Sequence, residues 1–210
     1  SGVSLDGDKF FYDNPLESMG QHHRQKWFGC ACCPGKVTRF VASVPNYIYA
    51  TQGNDVFVNL YIQGDADINA NGNKVKISQT TQYPWDGNVA ITINPRKQSQ
   101  WKVMLRIPSW LSDRPVANNL YSFADSKGGY TIRLNGQTIQ PEIVNGYAVI
   151  DRKWKRGDKV EIAMDMEVRR IKANDNVNDD RGKTALQRGP VVYCLEGQDQ
   201  PDKDVFNKAI

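Results

Sequence analysis

Three cysteines lie within four positions of one another, in the run Cys30-Ala31-Cys32-Cys33-Pro34. A disulfide between adjacent cysteines is strained, because the preferred geometry of the bond is difficult to reach on neighbouring residues of one backbone. The run therefore favours metal binding or thiolate chemistry. Since a helix is expected directly after Pro34, the dipole and free amides at its N-terminus would stabilise a thiolate at Cys32 or Cys33.

A second interpretation is that the cysteines are inert, because buried cysteines often act only as small hydrophobic residues. If they bind zinc, the metal needs four ligands from Cys, His, Asp or Glu. The chain has no second cysteine pair downstream, and its only histidines are His22 and His23. Glu17 and these histidines either line the site or brace the loop beneath the cysteines. An incomplete ligand set favours an open, catalytic site over a structural one.

The element expected to position the cysteines is a helix over residues 36–50. Its apolar residues follow the i, i+3, i+4, i+7 spacing of one helical face, and they are Val37, Phe40, Val41 and Val44. Pro45 is expected to end or bend this helix, because proline removes a backbone donor and clashes with the preceding turn.

After Gly53 the pattern changes to short alternating segments separated by Gly, Asn, Asp and Pro. The predicted strands cover residues 56–62, 75–83, 89–93, 101–107, 130–134, 147–150, 160–168 and 184–195. Strands at this spacing, with no helical pattern between them, predict an antiparallel β-sandwich. We therefore expect a mainly β fold, with a loop and helix segment over 1–50 and a β-sandwich domain over 51–210.

Two groups of residues outside the cysteine run have a structural and a functional interpretation. Four tryptophans could stack on sugar rings but are expected in the core, and they are Trp85, Trp101, Trp110 and Trp154. The acidic stretches 65–67 and 175–180 lack the ligand spacing of a calcium loop, so solvated turns are the better interpretation.

Composition excludes several classes of function. The chain has 27 basic and 23 acidic residues, a net charge of +4, and its basic residues are scattered, which argues against nucleic acid as a partner. No apolar run approaches the roughly 20 residues that cross a bilayer, which argues against a membrane. The first residues show no start signal and the last no finished terminus, so we expect further sequence on both sides.

Several motifs of the chain resemble those of glycoside hydrolase family 127, the former domain of unknown function 1680. The runs that carry the resemblance are Phe10-Phe11-Tyr12-Asp13-Asn14-Pro15-Leu16-Glu17-Ser18, His22-His23-Arg24-Gln25, Trp27-Phe28-Gly29-Cys30-Ala31-Cys32-Cys33-Pro34, Leu105-Arg106-Ile107-Pro108-Ser109-Trp110 and Leu186-Gln187-Arg188-Gly189-Pro190-Val191-Val192-Tyr193. They occur in register over nearly the whole chain.

The resemblance implies a retaining β-L-arabinofuranosidase type of enzyme that acts on plant-derived glycans. In this family an (α/α)6 barrel carries the active site, and β-sandwich domains pack against it. By motif, Cys32 is then the nucleophile and also touches zinc, and Cys33 is a zinc ligand, while His22 and His23 are candidates for substrate binding. The other zinc ligands, a glutamate and a cysteine, and the acid/base glutamate lie upstream of this chain.

Two interpretations of function follow. In the first, the chain is the carboxyl-terminal part of a zinc-thiolate glycoside hydrolase, its missing partner is the barrel of the same polypeptide, and the chain alone is inactive and binds zinc weakly or not at all. In the second, it is a non-catalytic β-sandwich that binds carbohydrate or packs between domains, and its cysteines are vestigial or structural.

Overall fold

The computed structural model describes residues 2–13, 18, 20–70, 72–112, 114–116, 118–125, 128–200, 202 and 205. It divides into two compact units, Ser1–Ile48 and Tyr49–Ile210. Glu17, a predicted candidate for the site, lies outside the described residues. None of the helices in the described part of the chain is long and apolar enough to cross a membrane.

The first unit contains helices α1 (Cys32–Ser43) and α2 (Pro45–Ile48). The predicted bounds of the helix were wrong at both ends, but the predicted interruption at Pro45 is confirmed, because α1 ends at Ser43 and Pro45 begins α2. The helical segment starts four residues earlier, because Pro34 lies in the first turn, where backbone N–H groups need no intrahelical partner. It also stops before Tyr49, which begins a strand.

Among the described residues of the first unit, helix α1 contains no buried residue. Its predicted apolar face is open to solvent, with Val37, Phe40 and Val41 exposed by 42%, 63% and 61%. An amphipathic helix normally covers such a stripe against a neighbouring element. The face of α1 is thus an uncovered apolar surface.

The second unit is built from short strands, numbered in chain order. They are β1 (Tyr49–Gln52), β2 (Asp55–Val58), β3 (Gly64–Ala70), β4 (Asn73–Thr81), β5 (Asn88–Pro95), β6 (Ser99–Arg106), β7 (Tyr121–Phe123), β8 (Tyr130–Leu134), β9 (Gln137–Ile139), β10 (Ile143–Val144), β11 (Tyr147–Trp154), β12 (Asp158–Met164), β13 (Val168–Ala173), β14 (Thr184–Arg188) and β15 (Val191–Tyr193). Among the described residues they form a five-stranded sheet in the order β1-β2-β6-β11-β10, a six-stranded sheet in the order β3-β4-β5-β12-β8-β9, and a four-stranded sheet in the order β15-β14-β13-β7.

The five- and six-stranded sheets share one hydrophobic core, which confirms the predicted mainly β sandwich. Residues from both sheets with almost no exposed area make up this core, and they include Val56, Val58, Val103, Leu105 and Trp154 from the first sheet and Val75, Ile77, Ile91, Ile93, Val160 and Ile162 from the second. The strand pairs formed by the described residues are antiparallel except β2 with β6, which are parallel. A parallel pair needs a long crossover, and β3 to β5 lie between these strands in the chain.

Several sequence predictions in this unit need correction. The strands predicted over 56–62 and 160–168 end at Val58 and Met164. The acidic stretch 65–67 is part of edge strand β3 rather than a turn, because pairing with β4 outweighs the low strand propensity of Asp and Asn. The strand predicted over 184–195 is broken into β14 and β15 by Gly189, whose φ is +56°, and by Pro190. Trp101, Trp110 and Trp154 are buried as predicted, whereas Trp85 is 68% exposed because it lies in the turn between β4 and β5.

Candidate active site

Cys32 and Cys33 form the start of helix α1. Ala31 is the N-cap residue and provides no side-chain hydrogen bond to the helix, and no acidic side chain lies in the first turn. The first backbone N–H groups of a helix lack intrahelical partners and carry the positive end of its dipole. In this turn the thiols of Cys32 and Cys33, once deprotonated, are therefore the negative groups that the positive end of the helix dipole can stabilise.

The sulfur atoms of Cys32 and Cys33 lie 3.7 Å apart, and all four cysteines of the chain are free thiols. Two thiolates bound tetrahedrally to zinc at about 2.3 Å have their sulfurs separated by about 3.8 Å. The observed spacing thus fits two ligands of one zinc ion. The side chain of Cys32 is exposed and that of Cys33 half-buried, so Cys32 is the more accessible sulfur.

Tyr12 is the closest described neighbour of the Cys32 thiol. Its Oη lies 2.6 Å from Cys32 Sγ, within hydrogen-bonding distance. The neighbouring thiols of Cys30, Cys32 and Cys33 raise the pKa of Tyr12 above its ordinary value. Either atom could be the donor in this contact, and a tyrosine hydroxyl is able to donate a hydrogen bond to sulfur.

Aromatic packing and backbone pairing hold Tyr12 in place. The ring of Phe28 lies 5.4 Å from that of Tyr12 and 5.2 Å from that of Phe10, measured between centroids. Phe10 exchanges two backbone hydrogen bonds of 3.0 Å with Gln25. The segment before the cysteines is thereby tied to residues 25–28, which lead directly into the cysteine run.

The two histidines that were predicted to bind substrate lie on the same segment. His22 Nε2 lies 3.3 Å from Asp13 Oδ1, and its ring is 6.0 Å from that of Phe11 between centroids. His23 is exposed. Within the described residues no hydrogen bond joins either histidine to a cysteine sulfur. Among the described residues the structure therefore brings Cys32 and Cys33 together and shows no hydrogen bond from either histidine to them.

A complete metal site is not formed by the described part of the chain. Within the ranges given above, no group of three or more His, Cys, Asp or Glu side chains is arranged to hold a metal ion. Cys32 and Cys33 supply two donors, and zinc commonly takes four. Further donors would have to come from outside the described residues.

Comparison with known protein families identifies the class to which the chain belongs. Residues 1–46 match the model "Beta-L-arabinofuranosidase, GH127 catalytic domain". Residues 55–166 match "Beta-L-arabinofuranosidase, GH127 middle domain", and residues 168–210 match "Glycoside hydrolase family 127 C-terminal domain". The chain belongs to glycoside hydrolase family 127, as the sequence motifs predicted. The cysteine run lies inside the stretch that matches the catalytic domain.

Individual relatives agree with this assignment. The chain is 35% identical to a non-reducing end beta-L-arabinofuranosidase of Bifidobacterium longum subsp. longum, over 99% of this chain and 31% of that protein. A solved GH127 beta-arabinofuranosidase superposes with a TM-score of 0.87 at 45% identity, over 94% of this chain and 31% of the other. A GH127 beta-L-arabinofuranosidase from Geobacillus stearothermophilus gives a TM-score of 0.80 at 41% identity, with the same coverage. The chain thus spans about a third of the length of these relatives.

Tyr12 is the residue of this site that the sequence did not reveal as functional. It lies twenty positions before Cys32, in a run of three aromatic residues that is equally typical of a packed hairpin. A sequence pattern gives no signal for a contact between a loop tyrosine and a thiol so far along the chain. The contact depends on the backbone pairing of Phe10 with Gln25.

Proposed function

We propose that the full-length parent of this chain is a retaining β-L-arabinofuranosidase in which Cys32 is the nucleophile. The observation that supports this most strongly is the pair of thiols at the N-terminus of α1, with the exposed Cys32 sulfur 3.7 Å from that of Cys33. This pair lies in the segment that matches the catalytic-domain model, and the relatives described above carry the name arabinofuranosidase.

We further propose that Cys32 and Cys33 are two of the ligands of a zinc ion in the parent. Their sulfur separation and their position at a helix N-terminus both suit thiolate ligands. Bound zinc would keep both thiols deprotonated near neutral pH. The remaining ligands are expected in the barrel upstream, together with the glutamate that acts as acid and base.

The proposed reaction has two steps, each of which inverts the anomeric carbon. In the first, the sulfur of Cys32 forms a bond to that carbon while the bond to the leaving oxygen breaks, and the leaving oxygen takes a proton from the carboxylic acid. In the second, water gives a proton to the carboxylate and attacks the same carbon, and the carbon–sulfur bond breaks to release the Cys32 thiolate. Two inversions retain the configuration of the sugar.

The environment of the cysteines supports a site that is completed by another part of the parent. Within the described part of the first unit the apolar face of α1 is exposed, although Val37, Phe40 and Val41 are the residues that a helix normally packs inward. We propose that the barrel of the same polypeptide covers this face. We propose that His22 and His23 then lie near the glycan and bind it.

The nucleophile is tested by Cys32→Ala in the parent protein, with Cys194→Ala as the matched control. Cys194 is also exposed, but it follows β15 in the second unit. If folding and zinc content are preserved, Cys32→Ala is expected to lower turnover of an aryl β-L-arabinofuranoside by at least about a thousandfold. The reason is that alanine has no sulfur to form the covalent intermediate. Unchanged turnover in Cys32→Ala would reject the nucleophile and favour the non-catalytic sandwich.

A second experiment concerns this chain alone. We expect it to hold less than stoichiometric zinc after dialysis and to show no glycosidase turnover, because the described residues supply two sulfur donors. Metal analysis by mass spectrometry checks this expectation. Tight zinc at one ion per chain would contradict the proposal that ligands are missing.

A further inference from the structure

We infer that Tyr12 is a positioning residue for the sulfur of Cys32. The phenol hydroxyl donates a hydrogen bond to this sulfur and holds the Cys32 side chain in one rotamer, so that attack occurs along one direction. The inference rests on the proposed function of Cys32 as nucleophile. It assigns a role to a residue that the cysteine motif does not include.

The Tyr12 hydroxyl is in direct contact with the sulfur of Cys32. Tyr12 Oη lies 2.6 Å from Cys32 Sγ, a contact too short to be ordinary packing. A thiolate has no proton to give, so in the reactive form of the site the phenol must be the donor. Hydrogen bonds to charged acceptors are roughly twice as strong as neutral ones. The contact is thus strongest in the state that reacts.

Aromatic packing holds the side chain of Tyr12 in place. Its ring packs on Phe28, which in turn packs on Phe10, with centroid separations of 5.4 and 5.2 Å. The backbone of Phe10 is fixed by two hydrogen bonds to Gln25. A tyrosine held by its ring and its backbone can restrain an exposed thiol, whereas a free side chain would move with it.

Cys32 and Cys33 differ in their surroundings. Tyr12 Oη lies 2.6 Å from the sulfur of Cys32, which is exposed, whereas Cys33 is half-buried. Two thiols lie 3.7 Å apart, so a small rotation of either could exchange their roles. The bond from Tyr12 gives Cys32 one fixed direction and thereby distinguishes the attacking sulfur from its neighbour.

The kinetic test uses Tyr12→Phe in the zinc-loaded parent protein, with Tyr47→Phe as the control. Tyr47 is an exposed tyrosine of α2 in the same unit. Loss of a hydrogen bond to a charged group should lower kcat by at least about tenfold and leave KM within about twofold, because a positioning residue acts through the nucleophile rather than through substrate affinity. Tyr47→Phe should match the wild type. Unchanged kcat in Tyr12→Phe would overturn the inference.

A second readout does not depend on turnover. In parent protein labelled with 13C at the tyrosine ring carbon that bears the hydroxyl, the Tyr12 resonance is identified by its loss in Tyr12→Phe. It should move in Cys32→Ala and stay in place in Cys194→Ala. A Tyr12 resonance that is unaffected by Cys32→Ala would refute the contact.

The two proposals fail in distinguishable ways. If Cys32→Ala keeps full turnover, the nucleophile is wrong, whatever Tyr12 does. If Cys32→Ala loses turnover while Tyr12→Phe keeps the wild-type kcat, the nucleophile stands and the role of Tyr12 is rejected. A fall in kcat that is accompanied by lost zinc or a lowered melting temperature would indicate a structural role for Tyr12 and would also reject the inference.

Discussion

Replacement of Asp158 by alanine should destabilise the sandwich, because this carboxylate links two turns at one end of it. Asp158 is 1% exposed and begins β12. Its oxygens accept hydrogen bonds of 2.9 Å from Asn135 Nδ2 and from the backbone N–H of Lys155. The guanidinium of Arg152 lies 3.6 Å away. Asn135 occupies the turn between β8 and β9 with a φ of +51°, so the carboxylate joins that turn to the one before β12.

The magnitude follows from the contacts that are lost. Asp158→Ala leaves two donors without their acceptor, and each such loss costs about 1–3 kcal/mol. Since Asn135 can turn toward water, we expect a total of about 3 kcal/mol in the free energy of unfolding. Asp67→Ala is the control, because Asp67 is an exposed residue of edge strand β3, and it should change this free energy by less than about 0.5 kcal/mol.

The same carboxylate predicts an acid dependence of stability. Burial raises the pKa of Asp158, but the hydrogen bonds from Lys155 and Asn135 and the charge of Arg152 outweigh this effect, and the net pKa is lowered from its ordinary 3.8. A lowered folded-state pKa stabilises the fold fully above the unfolded pKa, and this stabilisation is lost as the pH falls through the folded value.

Urea unfolding of the chain at pH 7 and at steps below pH 4 measures both effects. Asp158→Asn removes the charge and should flatten the loss of stability in acid. If Asp158→Ala unfolds at the same urea concentration as the wild type at pH 7, the proposed linkage of the two turns is wrong.

The remaining predictions concern the core and the strand pairing, and urea unfolding measures both. Trp154→Phe should lower the free energy of unfolding by about 2–3 kcal/mol, because Trp154 is fully buried and its Nε1 donates a 2.9 Å hydrogen bond to Trp101 O. Trp85→Phe should leave this free energy nearly unchanged, because Trp85 is exposed. Equal effects of the two substitutions would contradict the difference in burial. Gly87→Ala should lower the free energy of unfolding by more than about 2 kcal/mol, because a Cβ at this position would lie 2.0 Å from the carbonyl oxygen of Met164. Gly29→Ala is the control, because a Cβ at Gly29 would have no atom within 4 Å, and this variant should fold normally.

Much of the sandwich could be predicted from the sequence because its central strands are buried on at least one face. Strand β4 alternates strictly, and Val75 and Ile77 lie in the core as their spacing predicts. Edge elements are different. Strand β3 carries Asp65 and Asp67 on exposed positions, so its hydrophobic pattern is weak, and its pairing with β4 decides its structure.

The candidate site could be predicted in part for a related reason. Adjacent thiols before a helical pattern are a local signal, so Cys32 and Cys33 were accessible to sequence analysis. The start of α1 at Cys32 was missed, because the pattern of apolar residues begins only at Val37. The contact of Tyr12 with Cys32 spans twenty residues and depends on aromatic packing, which no periodicity encodes.

The mass of the Cys32 peptide tests whether Cys32 is the nucleophile. The parent protein is mixed with a slowly hydrolysed arabinofuranoside bearing a good leaving group, quenched in acid and digested. The account predicts that the peptide containing Cys32 gains the mass of one arabinosyl group, and that this gain is absent in Cys32→Ala. An arabinosyl group found on a carboxylate, or on Cys33 in place of Cys32, would contradict it.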